Sequence, residues 1–206
     1  MSLQARWAAL VTDIAPGASD QLAGSWVRLL LALYGAPGRH YHSRDHLADV
    51  LRRHAQHRAR FRAPVTAELA LWFHDAIYAV PSKDNERLSA EMCSAFLVSV
   101  GALKHMRAVP MIVATKHDGK MAADNDTALV LDIDLAGFAD PWEDFEANNA
   151  RIRQEFAVYD EPTYRAGRAA FLRGLLDRGP IFRVLTDLEA TARANIERHI
   201  AELDRG

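Results

Sequence analysis

The chain has 206 residues, of which half are hydrophobic and a quarter are charged, with a formal net charge of -2 at pH 7. This length allows one sizeable core, so we expect a single domain over residues 1–206. The small net charge excludes a strong field that would attract nucleic acid or an acidic membrane, although a local group of arginines could still bind a small anion.

The single cysteine, Cys93, excludes an internal disulfide and is typical of a reducing compartment. The first residues lack the long apolar core of a signal peptide, and no segment has the length of a membrane span. We therefore expect a cytoplasmic protein without membrane or nucleic-acid partners. The sequence leaves its oligomeric state open.

Apolar residues recur at intervals of three and four along most of the chain, and this period predicts an all-α fold. The first helix is expected over Leu3 to Ile14. A second is expected to begin after a cap at Ser19 or Asp20 and to end at Tyr34, where Gly and Pro residues follow.

The third expected helix carries two histidines near its start. Ser43 is a typical N-cap, so this helix should run from there to about Arg60, with His46 as its first inward-facing residue. His42 precedes the cap, on irregular backbone that can turn its ring toward the same place. His54, further along, is expected to lie in solvent.

The most informative stretch is an apolar run that contains His74 and Asp75, at the end of a helix expected to start at Pro64. Burying a carboxylate beside an imidazole is costly unless each finds a partner, and one metal ion satisfies both. A His-Asp pair that is simply hydrogen-bonded at a helix end is the alternative. The polar residues placed elsewhere in the chain favour the metal.

Two further helices follow this pair. Asp84 is expected to cap a helix that runs to Gly101, and Glu86 in its first turn could reach the same site, although acids there commonly serve the helix dipole. The next helix is expected over Leu103 to Thr115.

Two acids, Asp132 and Asp134, interrupt the apolar run of the helix that opens near Asp124. Residues two apart on a helix point in directions about 200° apart, so at most one of them faces a shared site. Three amphipathic helices are then expected near 141–159, 161–178 and 187–203. Their arginines, any of which could equally be solvated, are Arg151, Arg153, Arg165 and Arg168.

Together these segments offer His46, the pair at 74 and 75, and one acid of the pair at 132 and 134. Two imidazoles and two carboxylates suit a divalent transition metal such as Mn, Fe, Co, Ni or Zn with open positions. A metal held in this way lowers the pKa of bound water and supplies hydroxide near neutral pH. The expected chemistry is hydrolysis.

This order, His then His-Asp then Asp, resembles the HD-domain superfamily of metal-dependent phosphohydrolases. The segment Tyr41-His42-Ser43-Arg44-Asp45-His46-Leu47-Ala48-Asp49-Val50 is similar to the Tyr-His-Asn-x-x-His-Ala-Ala-Asp-Val segment of the cyclic-nucleotide phosphodiesterases, a branch of that superfamily. The resemblance implies an HD-type helical bundle. It also implies that His46 is a metal ligand and that His42 is the general acid for the leaving oxygen.

A wider resemblance, over roughly residues 25–200, is to a bacterial group of predicted HD-superfamily phosphohydrolases. Its segments are Trp72-Phe73-His74-Asp75-Ala76-Ile77-Tyr78, Asp84-Asn85-Glu86, Leu131-Asp132-Ile133-Asp134-Leu135, Ile152-Arg153-Gln154-Glu155-Phe156 and Gly167-Arg168. In such Asp-x-Asp runs the second acid is usually the ligand. The chain lacks the Asp-x-x-His that follows His-Asp in the phosphodiesterases, which argues against a cyclic-nucleotide substrate and a second metal.

We therefore expect an enzyme that hydrolyses the phosphate ester of a nucleotide or another small phosphorylated metabolite. The expected metal ligands are His46, His74, Asp75 and Asp134, with His42 and Asp75 as the catalytic residues. The expected substrate-binding residues are Arg39, Glu86, Lys116 and Arg153. Asp132, bonded to a ligand or to a nearby arginine, and His117 are expected to support the ligands.

Two alternatives remain at this point. HD-type helical scaffolds also form di-iron oxygenases, for which His105 and His117 could supply additional ligands. A non-enzymatic module that binds a ligand and keeps the metal structurally is the other, although structural sites favour closed ligand sets rich in Cys.

Overall fold

The computed structural model describes residues 1–119 and 122–205, and their regular structure consists of ten α-helices and four 3-10 helices. The α-helices are α1 (Leu3–Ile14), α2 (Asp20–Tyr34), α3 (Arg44–His57), α4 (Pro64–Phe73), α5 (Asn85–Ser99), α6 (Ala108–Ala114), α7 (Asn125–Leu135), α8 (Trp142–Glu155), α9 (Glu161–Asp177) and α10 (Glu189–Arg205). The 3-10 helices are Arg58–Arg60, Leu103–His105, Ala136–Ala139 and Thr186–Leu188. The predicted all-α class is confirmed, and the helices form one domain.

Side-chain caps start several of these helices. Ser19 accepts a hydrogen bond from the amide of Leu22, and Ser43 accepts one from the amide of Asp45. Asp84 precedes α5 as expected, but its side chain makes no capping hydrogen bond. Helices α2 and α3 therefore begin at the serine caps that the sequence predicts.

The helix expected over Leu103 to Thr115 is shorter in the structure, where α6 begins only at Ala108. Pro110 explains the difference, because it has no N–H to donate to the preceding turn and is tolerated only in the first turn of a helix. The residues before it form a short 3-10 turn instead.

Helix α4 is the centre of the main core. It packs against α1, α3, α5, α6 and α7, and every residue from 66 to 73 is buried. The ring of Trp72 lies 5.1 Å from that of Trp7, and Phe73 lies 5.5 Å from Phe96. This packing holds the carboxyl end of α4 in place, and the His-Asp pair follows that end directly.

His54 on α3 is buried, contrary to the expectation that it lies in solvent. Its Nε2–H donates to the carbonyl oxygen of Pro64 at 2.9 Å, and its Nδ1 accepts from Arg6 Nη2 at 3.3 Å. Both ring nitrogens therefore have partners when the ring is neutral, which removes most of the cost of burying it.

A smaller apolar cluster of Leu172, Leu175 and Ile196 joins α9 to α10. Among the described helices, none combines the length and the apolar character that crossing a bilayer would require.

Candidate metal centre and its cavity

Four side chains from three parts of the chain converge on one point. One ligand atom from each of His46, His74, Asp75 and Asp134 lies within 4.8 Å of the other three. His74 Nε2 is 3.1 Å from His46 Nε2, 3.0 Å from Asp75 Oδ2 and 3.3 Å from Asp134 Oδ1. The structure thus brings together the four residues expected to bind the metal.

The donor set fits a divalent transition metal. His74 Nδ1–H donates to the carbonyl oxygen of Leu71 at 2.8 Å, which leaves the Nε2 lone pair directed at the cluster. Metal-binding histidines commonly have their other ring nitrogen fixed in this way. Two imidazole nitrogens and two carboxylate oxygens gathered at one point lack a shared positive partner, and a cation supplies it.

The turn that carries the His-Asp pair is held from outside by Arg39. Its Nη1 donates to the carbonyl oxygens of Asp75 at 2.6 Å and His42 at 3.1 Å, and its Nη2 donates to that of Ala76 at 2.8 Å. The guanidinium therefore binds backbone carbonyl oxygens, whereas the sequence predicted that it would contact a phosphate. It joins the segment before α3 to the turn after α4.

The second acid of the Asp-x-Asp run reaches the cluster from α7, as expected. Asp134 Oδ2 also accepts a hydrogen bond from His117 Nε2–H at 2.8 Å, so His117 lies beside a ligand as the sequence analysis anticipated. His117 has a φ of 50°, a left-handed conformation that costs free energy for a residue other than glycine. Backbone strain is thus tolerated where it turns this ring toward the cluster.

The first acid of the run points elsewhere, which corrects the expectation that it supports a ligand or binds an arginine side chain. Asp132 is buried, and its carboxylate accepts hydrogen bonds from the backbone amides of Arg183, Val184 and Leu185 at 2.6 to 3.1 Å. It fixes the segment before α10 rather than the metal centre. The opposite directions of Asp132 and Asp134 follow from the helical period.

Strong electrostatic coupling accompanies this geometry. Although burial alone would lower it, the neighbouring Asp75 carboxylate raises the pKa of His74 well above its ordinary value. Burial would raise the pKa of Asp134, but His74, His117 and His46 together hold it well below the usual range. Burial would likewise raise the pKa of Asp75, but His74 holds it below the usual range. Both acids are therefore ionised at neutral pH, and a cation bound to the cluster would take the place of the proton on His74 Nε2.

His42 lies next to the cluster in a hydrogen-bonded chain of its own. Its Nδ1–H donates to Glu155 Oε2 at 2.6 Å, and its ring stacks on that of Tyr78 with centroids 4.2 Å apart. The other oxygen of Glu155 accepts from the amides of Tyr41 and His42, both at 2.8 Å. These contacts, of which the His42 side chain makes one of the strongest, hold the pKa of Glu155 below its ordinary value despite its burial.

The cluster and His42 open into a cavity of about 780 Å³, within the size range of small-molecule sites. One part of its wall is polar and contains His42, His46, Asp75, Asp134 and His117. The other part is mainly aromatic and contains Phe138, Phe145, Phe156, Tyr159, Tyr164 and Phe171. The cavity therefore offers both polar and aromatic contacts to a small ligand.

The remaining expected site residues differ in their placement. Glu86 and Lys116 line the cavity, and Lys116 Nζ donates to the carbonyl oxygen of Lys83 at 2.9 Å. Arg153 has its donors on Glu161 and on the carbonyl oxygens of Phe156 and Tyr159, so it closes the end of α8 instead of contacting a phosphate.

His105, considered as an additional iron ligand, is hydrogen-bonded to Thr66 through Nδ1 at 2.8 Å. Within residues 1–119 and 122–205, the four-residue cluster is the one group of three or more His, Cys, Asp or Glu side chains arranged to hold a metal. The described residues therefore do not supply the second ligand set that a di-iron centre needs.

Two residues of the site were missed from the sequence. Glu155 is the last residue of α8, where a negative charge opposes the helix dipole, so its position alone suggests that it has a specific partner. Asn149 is buried in the middle of the same helix, although Asn is a poor helix former. Both signals are weak without the partners that the structure adds.

Comparisons of the chain with models of protein families, with curated proteins and with solved structures give no match. What the site does is therefore inferred from its own residues and their geometry.

Proposed function

We propose that this chain is a metal-dependent phosphohydrolase of the HD superfamily that acts on a small phosphorylated molecule. The observation that carries the proposal is the convergence of His46, His74, Asp75 and Asp134 on one point, beside a cavity that also contains His42. Two histidines and two carboxylates leave coordination positions open, as hydrolytic metal sites require.

A bound divalent metal would supply a hydroxide nucleophile near neutral pH and would polarise the phosphoryl oxygen. The hydrogen bond from His74 Nδ1–H to the carbonyl oxygen of Leu71 orients the His74 ring. The hydrogen bond from His117 Nε2–H orients the carboxylate of Asp134. The acids at 75 and 134 carry the negative charge that balances the cation.

His42 is suited to donate the proton that the leaving oxygen needs. Its Nδ1–H is held by Glu155, so Nε2 is the ring nitrogen left to carry the proton for the leaving oxygen. Loss of the proton from Nε2 to the leaving oxygen returns His42 to its neutral form. Tyr78, which stacks on the ring and donates to Glu155, fixes this orientation.

The test is elemental analysis of the purified protein together with a screen of phosphomonoesters and phosphodiesters in the presence of Mn, Fe, Co, Ni or Zn. We expect one divalent metal per chain and hydrolysis that depends on it. Asp134→Asn should lose both the metal and the activity. Asp45→Asn serves as the matched control, because Asp45 is exposed on the first turn of α3, next to His46 in the chain. This variant should keep both the metal and the activity.

A fully metal-loaded protein that hydrolyses no phosphate ester of a broad panel would contradict the proposal and would favour the non-enzymatic binding module. Two iron atoms per chain with consumption of oxygen would favour the di-iron oxygenase instead.

A further inference from the structure

Arg168 on α9 is a cation in the wall of the same cavity. Its guanidinium lies 5.9 Å from the ring centroid of Phe138 and 5.4 Å from that of Phe171, in the aromatic part of the wall. An aliphatic side chain would fill such surroundings without the cost of removing a charge from water. The charge therefore calls for an explanation.

Asn149 fixes the orientation of this guanidinium. Its Oδ1 accepts hydrogen bonds from Arg168 Nε at 3.2 Å and from Nη2 at 2.7 Å. The amide of Asn149 is itself held, because its Nδ2 donates to the carbonyl oxygen of Phe145 at 2.9 Å. One edge of the guanidinium is thus occupied, and three N–H groups remain, two on Nη1 and one on Nη2; one from each nitrogen forms a second edge.

The charge of Arg168 is not balanced by an acid. Among the described residues, no carboxylate oxygen forms an ion pair with it, and its only polar partner is the neutral amide of Asn149. Burial lowers the pKa of the guanidinium, and the phenols of Tyr164, Tyr41 and Tyr78 that lie nearby are neutral at neutral pH. Arginine nevertheless stays protonated in proteins, so the positive charge remains and lacks a counter-ion.

Arg168 is also separate from the metal centre. Tyr41 lies between the two: its ring is 5.0 Å from that of His46, and its phenol interacts electrostatically with both Asp134 and Arg168. A ligand in the cavity can therefore contact the cluster with one group and Arg168 with another.

We propose that the free edge of Arg168 binds an oxyanion of the substrate, a carboxylate or a phosphate, that is distinct from the ester group at the metal centre. Planar forks of two N–H donors match the two oxygens of such a group. The identification of the ligand as a substrate rests on the proposed phosphohydrolase activity, whereas the binding of the oxyanion does not.

The test uses three matched probes: phenylacetate, its neutral analogue phenylacetamide, and benzylphosphonate. Their affinities for the full chain are measured by NMR titration after treatment with a chelator and again with Mn²⁺ restored. We expect phenylacetate or benzylphosphonate to bind about tenfold more tightly than phenylacetamide, the scale of one charge-assisted contact. The tighter of the two anions identifies the oxyanion as carboxylate or phosphate.

Arg168→Gln should bring the anionic and neutral probes to nearly equal affinity in both conditions. Arg173→Gln is the matched control, because Arg173 lies on the same helix but is exposed and paired with Asp204. It should leave the preference for the anion unchanged.

Three results would overturn the proposal: no preference for the anion in the wild type, a preference that survives Arg168→Gln, or a preference that exists only with Mn²⁺ present. If Arg168→Gln does not fold, Arg168→Lys keeps the charge but loses the two-pronged contact, and the anion should then bind several-fold more weakly. None of these measurements requires hydrolysis, so a chain that is inactive toward phosphate esters can still pass or fail them.

Discussion

At the scale of single residues, His42 and Glu155 are paired although they lie 113 positions apart in the chain. The pair leaves Nε2 of the His42 ring available to the cavity and places the buried carboxylate of Glu155 beside Nδ1. This arrangement distinguishes His42 from the exposed His40 two positions earlier. Two predictions follow from it.

The first concerns the proposed proton donor. His42→Ala should lower kcat by about 10²- to 10⁴-fold, the usual contribution of a general acid, while the metal stays bound because the four ligands are untouched. Steady-state kinetics together with metal analysis check this expectation. His40→Ala, as control, should leave kcat unchanged, and normal turnover by His42→Ala would reject the role.

The second concerns the carboxylate behind it. Glu155→Gln keeps the size of the side chain but removes the charged acceptor that holds His42 Nδ1–H, so kcat should fall because the ring loses its fixed orientation. The metal content should stay the same, because Glu155 is not among the four ligands. Steady-state kinetics and elemental analysis of the two proteins measure both quantities, whereas a purely structural role of Glu155 predicts lower stability with an unchanged kcat.

At the scale of elements, helix α7 carries two acids that point in opposite directions and have different partners. Asp134 joins the cluster of His46, His74 and Asp75, and Asp132 holds the segment before α10 through four hydrogen bonds from three amides. The helical period separates the two functions, since neighbours two positions apart cannot share a face.

Substitution of the two acids should therefore have opposite signatures. Asp132→Asn should lower the free energy of unfolding by about 2–4 kcal/mol, because it leaves buried amides short of charged acceptors, while the chain still binds metal. Asp134→Asn should abolish metal binding. Urea unfolding of metal-free protein and elemental analysis measure the two effects, and equal metal loss in both variants would contradict this division.

Helix α4 shows why the cluster is well ordered. Its side chains are buried on nearly all faces, so the turn that follows it has little freedom, and Arg39 fixes that turn through the carbonyl oxygens of Asp75 and Ala76. The four side chains of the proposed metal site are therefore in position before a metal would bind, which lowers the entropic cost of binding.

At the scale of the whole molecule, the contact of α1, α3 and α4 contains a buried group that makes the fold sensitive to acid. Burial lowers the pKa of His54 from its ordinary value of 6.5 to about 4. Between these two pH values the unfolded chain binds a proton that the folded chain does not. The free energy of unfolding therefore falls as the pH drops from 6.5 to 4.

The size of this effect is about 3 kcal/mol for a shift of this magnitude. His54→Gln keeps a donor for the carbonyl oxygen of Pro64 but does not titrate, so its stability should depend less steeply on pH in that window. Urea unfolding of both proteins across the window, without metal, measures the difference. Parallel pH dependences would show that His54 does not titrate in this way.

Much of the helical architecture could be predicted because its signals are local. The period of apolar residues, the caps at Ser19 and Ser43, and the Gly and Pro stops each act within a few residues, so reading the chain in order finds them. Pro110 is such a signal too, and it explains why α6 begins at Ala108 and not at Leu103.

The candidate ligands could also be proposed from the sequence, because His74, Asp75 and Asp134 are polar residues in apolar runs and burial without a partner is expensive. The uses of Arg39 and Arg153 could not, since an arginine on a helix face or in a loop looks the same whether it binds carbonyl oxygens or a ligand. The burial of His54 was missed for a similar reason.

By itself, the sequence determined that this protein is all-α, where many of its helices begin and end, and which polar residues needed a partner. Only the tertiary structure decided which partner each one has: that Asp132 binds a turn, that Glu155 binds His42, and that Arg168 lies in the cavity beside Asn149. The reason is the distance along the chain over which each kind of signal acts. Periodicity and capping act along a few residues of chain, whereas these contacts depend on how distant helices pack.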